Sequence, residues 1–190
     1  MNGFLQQQYL TFKIIKDYNF IYLVDIVMRD AKMYRPSVGM MILNKENQIF
    51  MAKKTENIGT NLDCWQMPQG GIEEEENLEE AVTRELMEET GIDIKDVEII
   101  AKQDNEWIYY DIPQEIAYRV WQGKYIGQRQ KWFLLKAKND LVINLNVANE
   151  EKPEFYTHTW ADFDKVKDFS IWFRHDVYQT VLSTFKPYIS

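Results

Sequence analysis

The 190-residue sequence predicts a layered α/β domain. Strand-like apolar runs lie before and after one well-marked internal helix, and a second helical pattern follows near the end of the sequence. Hydrophobic residues make up 45% of the chain and charged residues 27%, which is ordinary for a folded globular protein. No apolar run approaches the roughly 20 residues of a transmembrane helix, so we expect no membrane span.

The first strands are expected directly after an N-terminal extension of uncertain order, residues 1–33. Residues 37–43 are almost continuously apolar, and the polar stretch 44–47 separates them from a second run at 48–52, which predicts a hairpin. Residues 55–64 are polar and predict a loop. Four further strands and a terminal helix are predicted at 97–101, 106–110, 131–137, 156–160 and 173–185. We therefore assign one domain to residues 34–190.

The internal helix carries the clearest local signals. Asn77 is a favourable N-cap residue, and Glu80 stands where the acidic partner of a capping box belongs. Gly91 occupies the position of a left-handed C-cap. These signals predict a helix from about residue 78 to residue 90.

The acidity of the chain is concentrated around this helix. Residues 71–90 contain nine glutamates and one arginine, a net charge of −8 that equals the net charge of the whole chain. A carboxylate cluster of this density is either a solvated helix face or a cation site, and a bound cation would change how the cluster interacts with phosphate.

Three of these carboxylates lie close to the apolar stripe of the helix. At 100° per residue, Glu85 and Glu89 fall within about 20° of Leu78, and Glu88 lies about 80° away. A solvated face is the simpler alternative, but carboxylates spaced three and four residues apart repel one another, and the helix dipole disfavours them in the last turns. A divalent cation with oxygen ligands, most plausibly Mg²⁺, would offset both effects.

The spacing of this segment matches a known motif at every defined position. Gly70, Glu76 and the run from Arg84 to Ile92 resemble the complete Nudix box, GX5EX7REUXEEXGU, where U is a bulky aliphatic residue. The resemblance implies the Nudix fold, an α/β/α sandwich with a mixed β-sheet. It also implies hydrolysis of phosphoric anhydride bonds in substrates that contain a nucleoside diphosphate.

The same resemblance assigns roles within the box. It implies Mg²⁺ or Mn²⁺ held by Glu85, Glu88 and Glu89, with the Gly70 carbonyl as a further ligand. It makes Glu76 and Arg84 a structural ion pair that steadies the loop and the helix.

Residues outside the box narrow the family. Five blocks, 34–39, 65–72, 127–133, 153–155 and 173–178, resemble in their order those of the bacterial RNA pyrophosphohydrolases, also described as dinucleoside polyphosphate hydrolases. The resemblance implies that Glu154 is a further metal ligand or a general base. Cys64 departs from the small hydroxyl residue that relatives often carry before the tryptophan.

Four other residues are candidates for substrate binding. Arg35 and Arg174 suit phosphate oxygens because a guanidinium group donates in a fork. Gln128 resembles a family position that contacts RNA. Phe173 suits stacking on a base, with core packing of the terminal helix as the alternative.

These residues lead to three hypotheses. The first is a Mg²⁺-dependent RNA 5′-pyrophosphohydrolase that converts 5′-triphosphate ends to 5′-monophosphate ends and promotes RNA decay. The second is a hydrolase of dinucleoside tetra- or pentaphosphates. The third, a nucleotide-binding regulatory module without catalysis, is disfavoured because the ligand set is intact.

The expected partners and compartment follow from the leading hypothesis. We expect RNA 5′ ends or dinucleoside polyphosphates as partners, and neither DNA nor membrane; a protein activator stays an open question. The single cysteine suits a reducing, cytoplasmic compartment.

Overall fold

The computed structural model describes residues 30–55, 65–104, 106–147, 151, 153–169 and 172–189, with only the backbone of Trp172. Within these ranges the β-strands are β1 Tyr34–Leu43, β2 Ile49–Lys54, β3 Trp65–Gln66, β4 Gln69–Gly71, β5 Val97–Lys102, β6 Ile108–Asp111, β7 Gly127–Ala137 and β8 Phe155–Ala161. The α-helices are α1 Leu78–Thr90, α2 Gln114–Trp121, α3 Val166–Phe169 and α4 His175–Phe185. None of the described helices has the length and apolarity needed to cross a membrane.

The strands form one mixed sheet with β1 near its centre. Strand β1 runs parallel to β7, in register from Tyr34 opposite Gly127 to Leu43 opposite Lys136. The other pairings are antiparallel: β4 pairs with β1, β5 and β6 pair with β7, and β2 pairs with β1, β3 and β8. The order β4-β1-β7-β6 at one end of the sheet determines the layout of the site described below.

Apolar side chains cover both faces of this sheet. On one face Met41, Met51, Trp132 and Leu134 pack with α4 through its buried residues Val177, Val181 and Phe185. On the other face Val38, Ile42, Phe50 and Phe133 pack with α1 through Ala81, Val82 and Leu86. A helical layer on each face confirms the expected α/β/α sandwich with a mixed sheet.

Helix α1 begins and ends as its sequence predicts. The Asn77 side chain accepts from the backbone nitrogens of Glu79 and Glu80, both at 3.0 Å, and the Glu80 carboxylate accepts from the Asn77 nitrogen at 2.9 Å. Gly91 has φ = 70°, the left-handed conformation that glycine adopts without steric cost.

Several other elements differ from expectation. Strand β7 begins four residues before the predicted start, because Gln128 and Gln130 are polar yet buried and do not form an apolar run. Helix α4 begins at His175 after a 3-10 turn at 172–174, and α2 was not predicted. The predicted loop lies outside the described residues from 56 onward, including Cys64, as does the N-terminal extension up to residue 29.

Candidate active site

Strand β4 and helix α1 bring two of the predicted carboxylates against the backbone. Glu85 is 8% exposed and Glu89 4% exposed. The Gln69 nitrogen donates to Glu89 Oε2 at 2.8 Å. A Cβ on Gly70 would lie 1.8 Å from the carboxyl carbon of Glu85, so Gly70 provides the space that this carboxylate occupies.

Glu88 lies at the solvent-exposed side of the same cluster and lines a neighbouring pocket together with Glu85, Glu89 and Glu154. Its side chain is 59% exposed, so the expectation that all three carboxylates project toward the buried side was wrong for Glu88. The reason is the position of Glu88 on the helix, about 80° from Leu78 on the side away from Val82 and Leu86. Glu85 and Glu89 are therefore in the interior of the site, and Glu88 is at its solvent-exposed edge.

Arg84 binds the carboxylates of the box together. Its guanidinium donates to both Glu76 oxygens at 2.9 Å, to Glu85 at 2.8 Å and to Glu88 at 3.1 Å. It also donates to the Gly71 carbonyl oxygen at 2.8 Å. Hydrogen bonding from Arg84 lowers the pKa of Glu76 below its ordinary value. The contacts agree with the predicted structural pair and add Glu85 and Glu88 to it.

Burial makes the two interior carboxylates hard to ionise. Desolvation raises the pKa of Glu85, against the opposing effect of Arg84. Desolvation raises the pKa of Glu89 well above its ordinary value, and the nearby Glu154 and Glu85 charges raise it further. The positive charge near Glu89 therefore does not compensate for the loss of hydration of its carboxylate.

The donor set suits a hard divalent cation. Glu89 Oε1 is buried and has no hydrogen-bond partner in the described part of the chain, so one oxygen is available for a further ligand. Carboxylate and carbonyl oxygens are the ligands that Mg²⁺ and Mn²⁺ prefer. Among the described residues, no three acidic, histidine or cysteine side chains are arranged as a complete metal site. Arg84 pairs with two of the carboxylates, Glu85 and Glu88.

Glu154 reaches the same site from a distant part of the sequence. It immediately precedes β8, its carboxylate lies 2.6 Å from Lys54 Nζ, and its side chain is 44% exposed. Its backbone oxygen accepts from the Thr55 nitrogen at 2.8 Å. The sequence pattern did not single out Lys54, because a lysine at the end of a strand carries no recognisable signal.

A cavity of about 370 Å³ opens beside these carboxylates. Glu85, Glu89 and Glu154 line it together with the cations Arg35 and Lys54. Arg35 lies against β4, since a Cβ on Gly71 would lie 2.1 Å from a guanidinium nitrogen. Carboxylates, which suit a divalent cation, and cationic side chains, which suit phosphate, thus line one cavity.

The other predicted substrate residues, Gln128, Phe173 and Arg174, line the same cavity. Phe173 is half-buried and stacks on Tyr110, with ring centroids 6.4 Å apart. Its side chain therefore packs against the core and also lines the cavity. Arg174 is buried and donates to the side-chain amide oxygen of Gln66, a contact that sequence reasoning missed.

Gln128 has a defined orientation. Its amide oxygen accepts from the Tyr110 hydroxyl at 2.8 Å, from Gln130 Nε2 at 3.0 Å and from the Ser37 hydroxyl at 3.3 Å. Three donors on one oxygen fix the carbonyl end of the side chain in the protein. The amide nitrogen is left as the end of Gln128 that can donate to a ligand.

The comparison with known families agrees with the motif. The NUDIX domain profile matches residues 33–181, more than half of the chain. The chain therefore belongs to the Nudix family, and the predicted hydrolase class is confirmed.

Particular relatives agree with the five blocks outside the box. The RNA pyrophosphohydrolase of Wolbachia pipientis subsp. Culex pipiens (strain wPip) is 41% identical over 164 residues, which cover 86% of this chain and 96% of the relative. The RNA pyrophosphohydrolase of Cereibacter sphaeroides (strain ATCC 17029 / ATH 2.4.9) is 41% identical over 160 residues, which cover 83% and 93%. These relatives confirm the resemblance to bacterial RNA pyrophosphohydrolases.

Solved structures share the fold at low sequence identity. The E. coli dihydroneopterin triphosphate pyrophosphohydrolase has a TM-score of 0.59 and 18% identity, covering 80% of this chain and 99% of that one. A C. elegans Ap4A hydrolase binary complex has a TM-score of 0.56 and 15% identity, covering 80% and 96%. These similarities extend to the fold alone.

Proposed function

We propose that this chain is a cytoplasmic RNA 5′-pyrophosphohydrolase that acts with a divalent cation, Mg²⁺ or Mn²⁺, and leaves a 5′-monophosphate end. The observation that carries the proposal is the single cavity in which Glu85, Glu89 and Glu154 lie beside Arg35 and Lys54. The curated relatives at 41% identity, named RNA pyrophosphohydrolases, support RNA as the substrate.

The residues that would hold the cation are Glu85, Glu88, Glu89, Glu154 and the Gly70 carbonyl. The cation would supply Lewis-acid activation of water and neutralise charge on the phosphate oxygens. Glu89 is suited to this role because its buried Oε1 has no protein partner among the described residues.

The protein itself binds and orients the polyphosphate. Arg35 and Lys54 supply positive charge to the phosphate oxygens. Lys54 also holds the Glu154 carboxylate at 2.6 Å, which keeps a candidate general base or ligand at the mouth of the cavity. An acidic chain can bind an RNA end in this way because only the terminal nucleotides enter the cavity.

Gln128 and Phe173 recognise the nucleoside portion. Gln128 presents its amide nitrogen as a donor, since its oxygen is already hydrogen-bonded to three groups. Phe173 offers an aromatic face on which a base can stack. The intact carboxylate set argues against a purely regulatory nucleotide-binding module.

The test is a comparison of kcat/KM on triphosphorylated RNA, diadenosine tetraphosphate and a nucleotide sugar. We expect triphosphorylated RNA to have the highest value and Glu88→Gln to lower kcat by at least about a hundredfold. Glu79→Gln is the matched control, because it removes a charge from a 65% exposed side chain of the same helix. A preference for diadenosine tetraphosphate would favour the dinucleoside polyphosphate alternative, and a preference for the nucleotide sugar would refute both.

A further inference from the structure

Helix α2 forms an apolar wall of the same cavity. Ile116, Val120 and Trp121 line the cavity together with the carboxylates. Only Ala117 of this helix is buried, and Val120 is 55% exposed. We call Ile116, Val120 and Trp121 the α2 wall. Its apolar side chains face solvent in the free protein, which is typical of a surface that a ligand covers.

The wall lies far from the carboxylates across the sheet. Gly70 is on β4 and α2 follows β6, and the strand order β4-β1-β7-β6 separates these two strands by three spacings. At about 4.8 Å per spacing, β4 and β6 are about 14 Å apart within the sheet. A ligand that spans the cavity meets carboxylates and the cations Arg35 and Lys54 near β4, and mainly apolar side chains together with Arg119 at α2.

The neighbouring contacts hold the wall in place. The Ile112 nitrogen donates to the Ile126 oxygen at 3.0 Å, which joins the segments before and after α2. The Trp121 ring packs edge-to-face on Tyr125 with centroids 5.8 Å apart. These contacts anchor the segments at the two ends of α2.

We propose that the α2 wall binds the base of the nucleoside whose 5′-phosphates lie at the carboxylate end. This inference rests on the proposed function and extends it to a base subsite. The ligand chemistry is a nucleobase attached to a 5′-polyphosphate, which RNA ends and dinucleoside polyphosphates share. The apolar side chains contact the ring face and exclude water from it, so the wall contributes to affinity without reading base edges.

The first test separates the base from the phosphates in turnover. The double variant Ile116→Ser/Val120→Ser should lower kcat/KM about tenfold on a triphosphorylated oligonucleotide, mainly through KM, because it removes apolar side-chain area that would be buried against the base. On the same oligonucleotide with an abasic first residue, the loss should be less than about twofold. Tyr118→Ser is the matched control, because Tyr118 is on the same helix, 69% exposed, and does not line the cavity.

Equal losses on the normal and abasic oligonucleotides, or no loss on either, would overturn the proposal. Diadenosine tetraphosphate distinguishes the two sources of the base. A lower kcat/KM on this substrate alone assigns the wall to dinucleoside polyphosphates, and a lower kcat/KM on RNA alone assigns it to RNA ends.

A binding measurement keeps the base subsite testable if the chain does not hydrolyse RNA. Calorimetry with Ca²⁺ compares ATP with inorganic triphosphate. The double variant should weaken ATP binding about tenfold and leave triphosphate binding unchanged. Circular dichroism melts of the double variant confirm that it folds. Equal weakening of ATP and triphosphate binding, or no weakening of either, would refute the base subsite even where the proposed hydrolysis is correct.

Discussion

Replacement of Glu89 by glutamine should stabilise the metal-free protein and remove its response to the cation. The glutamine oxygen can still accept from the Gln69 nitrogen, which lies 2.8 Å from Glu89 Oε2. The substitution removes a buried negative charge whose second oxygen has no partner among the described residues. The neutral amide avoids the cost of burying an unpaired charge, which exceeds the cost of about 1–3 kcal/mol for a neutral unsatisfied polar group. At about 2–4 °C per kcal/mol for a chain of this size, Tm should rise by at least about 2 °C at pH 8.

The pH dependence gives the sign of the effect. Burial raises the pKa of Glu89 in the folded state above its ordinary value of 4.5. The wild-type protein therefore loses stability relative to the variant as pH rises from about 4.5 through the folded pKa. The advantage of the variant should be absent well below pH 4.5 and complete above the folded pKa.

The assay is thermal unfolding of wild-type, Glu89→Gln and the surface control Glu79→Gln across this pH range, with and without Mg²⁺. Mg²⁺ should raise the Tm of the wild type and of the control, and have little effect on Glu89→Gln. A Glu89→Gln protein that is less stable than wild type at pH 8 without metal, or equally stabilised by Mg²⁺, would refute the reasoning.

Four further predictions concern the site and the domain boundary. Glu88→Gln should lower kcat by at least about a hundredfold with little change in Tm, because the side chain is 59% exposed; near-normal kcat at saturating Mg²⁺ would contradict its ligand role. Phe173→Ala should reduce kcat/KM on RNA more than on inorganic polyphosphate, and equal losses with a lower Tm would assign Phe173 to the core alone. Gly70→Ala should reduce activity far more than stability, because its Cβ would displace the flexible Glu85 carboxylate; kinetics and melting curves measure the two effects. A chain that starts at Met33 should fold and hydrolyse RNA within about threefold of the full chain, and an insoluble product would show that residues 1–32 contribute to the core.

The tertiary structure decided how the site is completed around α1. Lys54 meets Glu154 across 100 residues of sequence, and Arg174 meets Gln66 across 108. Such pairs depend on which strands adjoin, and no local pattern specifies them. The early start of β7 has the same origin, because Gln128 and Gln130 are buried through contacts with other chain segments and not through apolar character.

The sequence by itself determined helix α1 and most of its chemistry. The Asn77 and Gly91 caps and the placement of Glu85 and Glu89 near the apolar stripe are local consequences of hydrogen bonding and helical period. Tertiary packing alone decided the pairing of Lys54 with Glu154 and the α2 wall. These features required the sheet order, since it is the pairing of β1 with β4 and β7 that brings distant segments to one cavity.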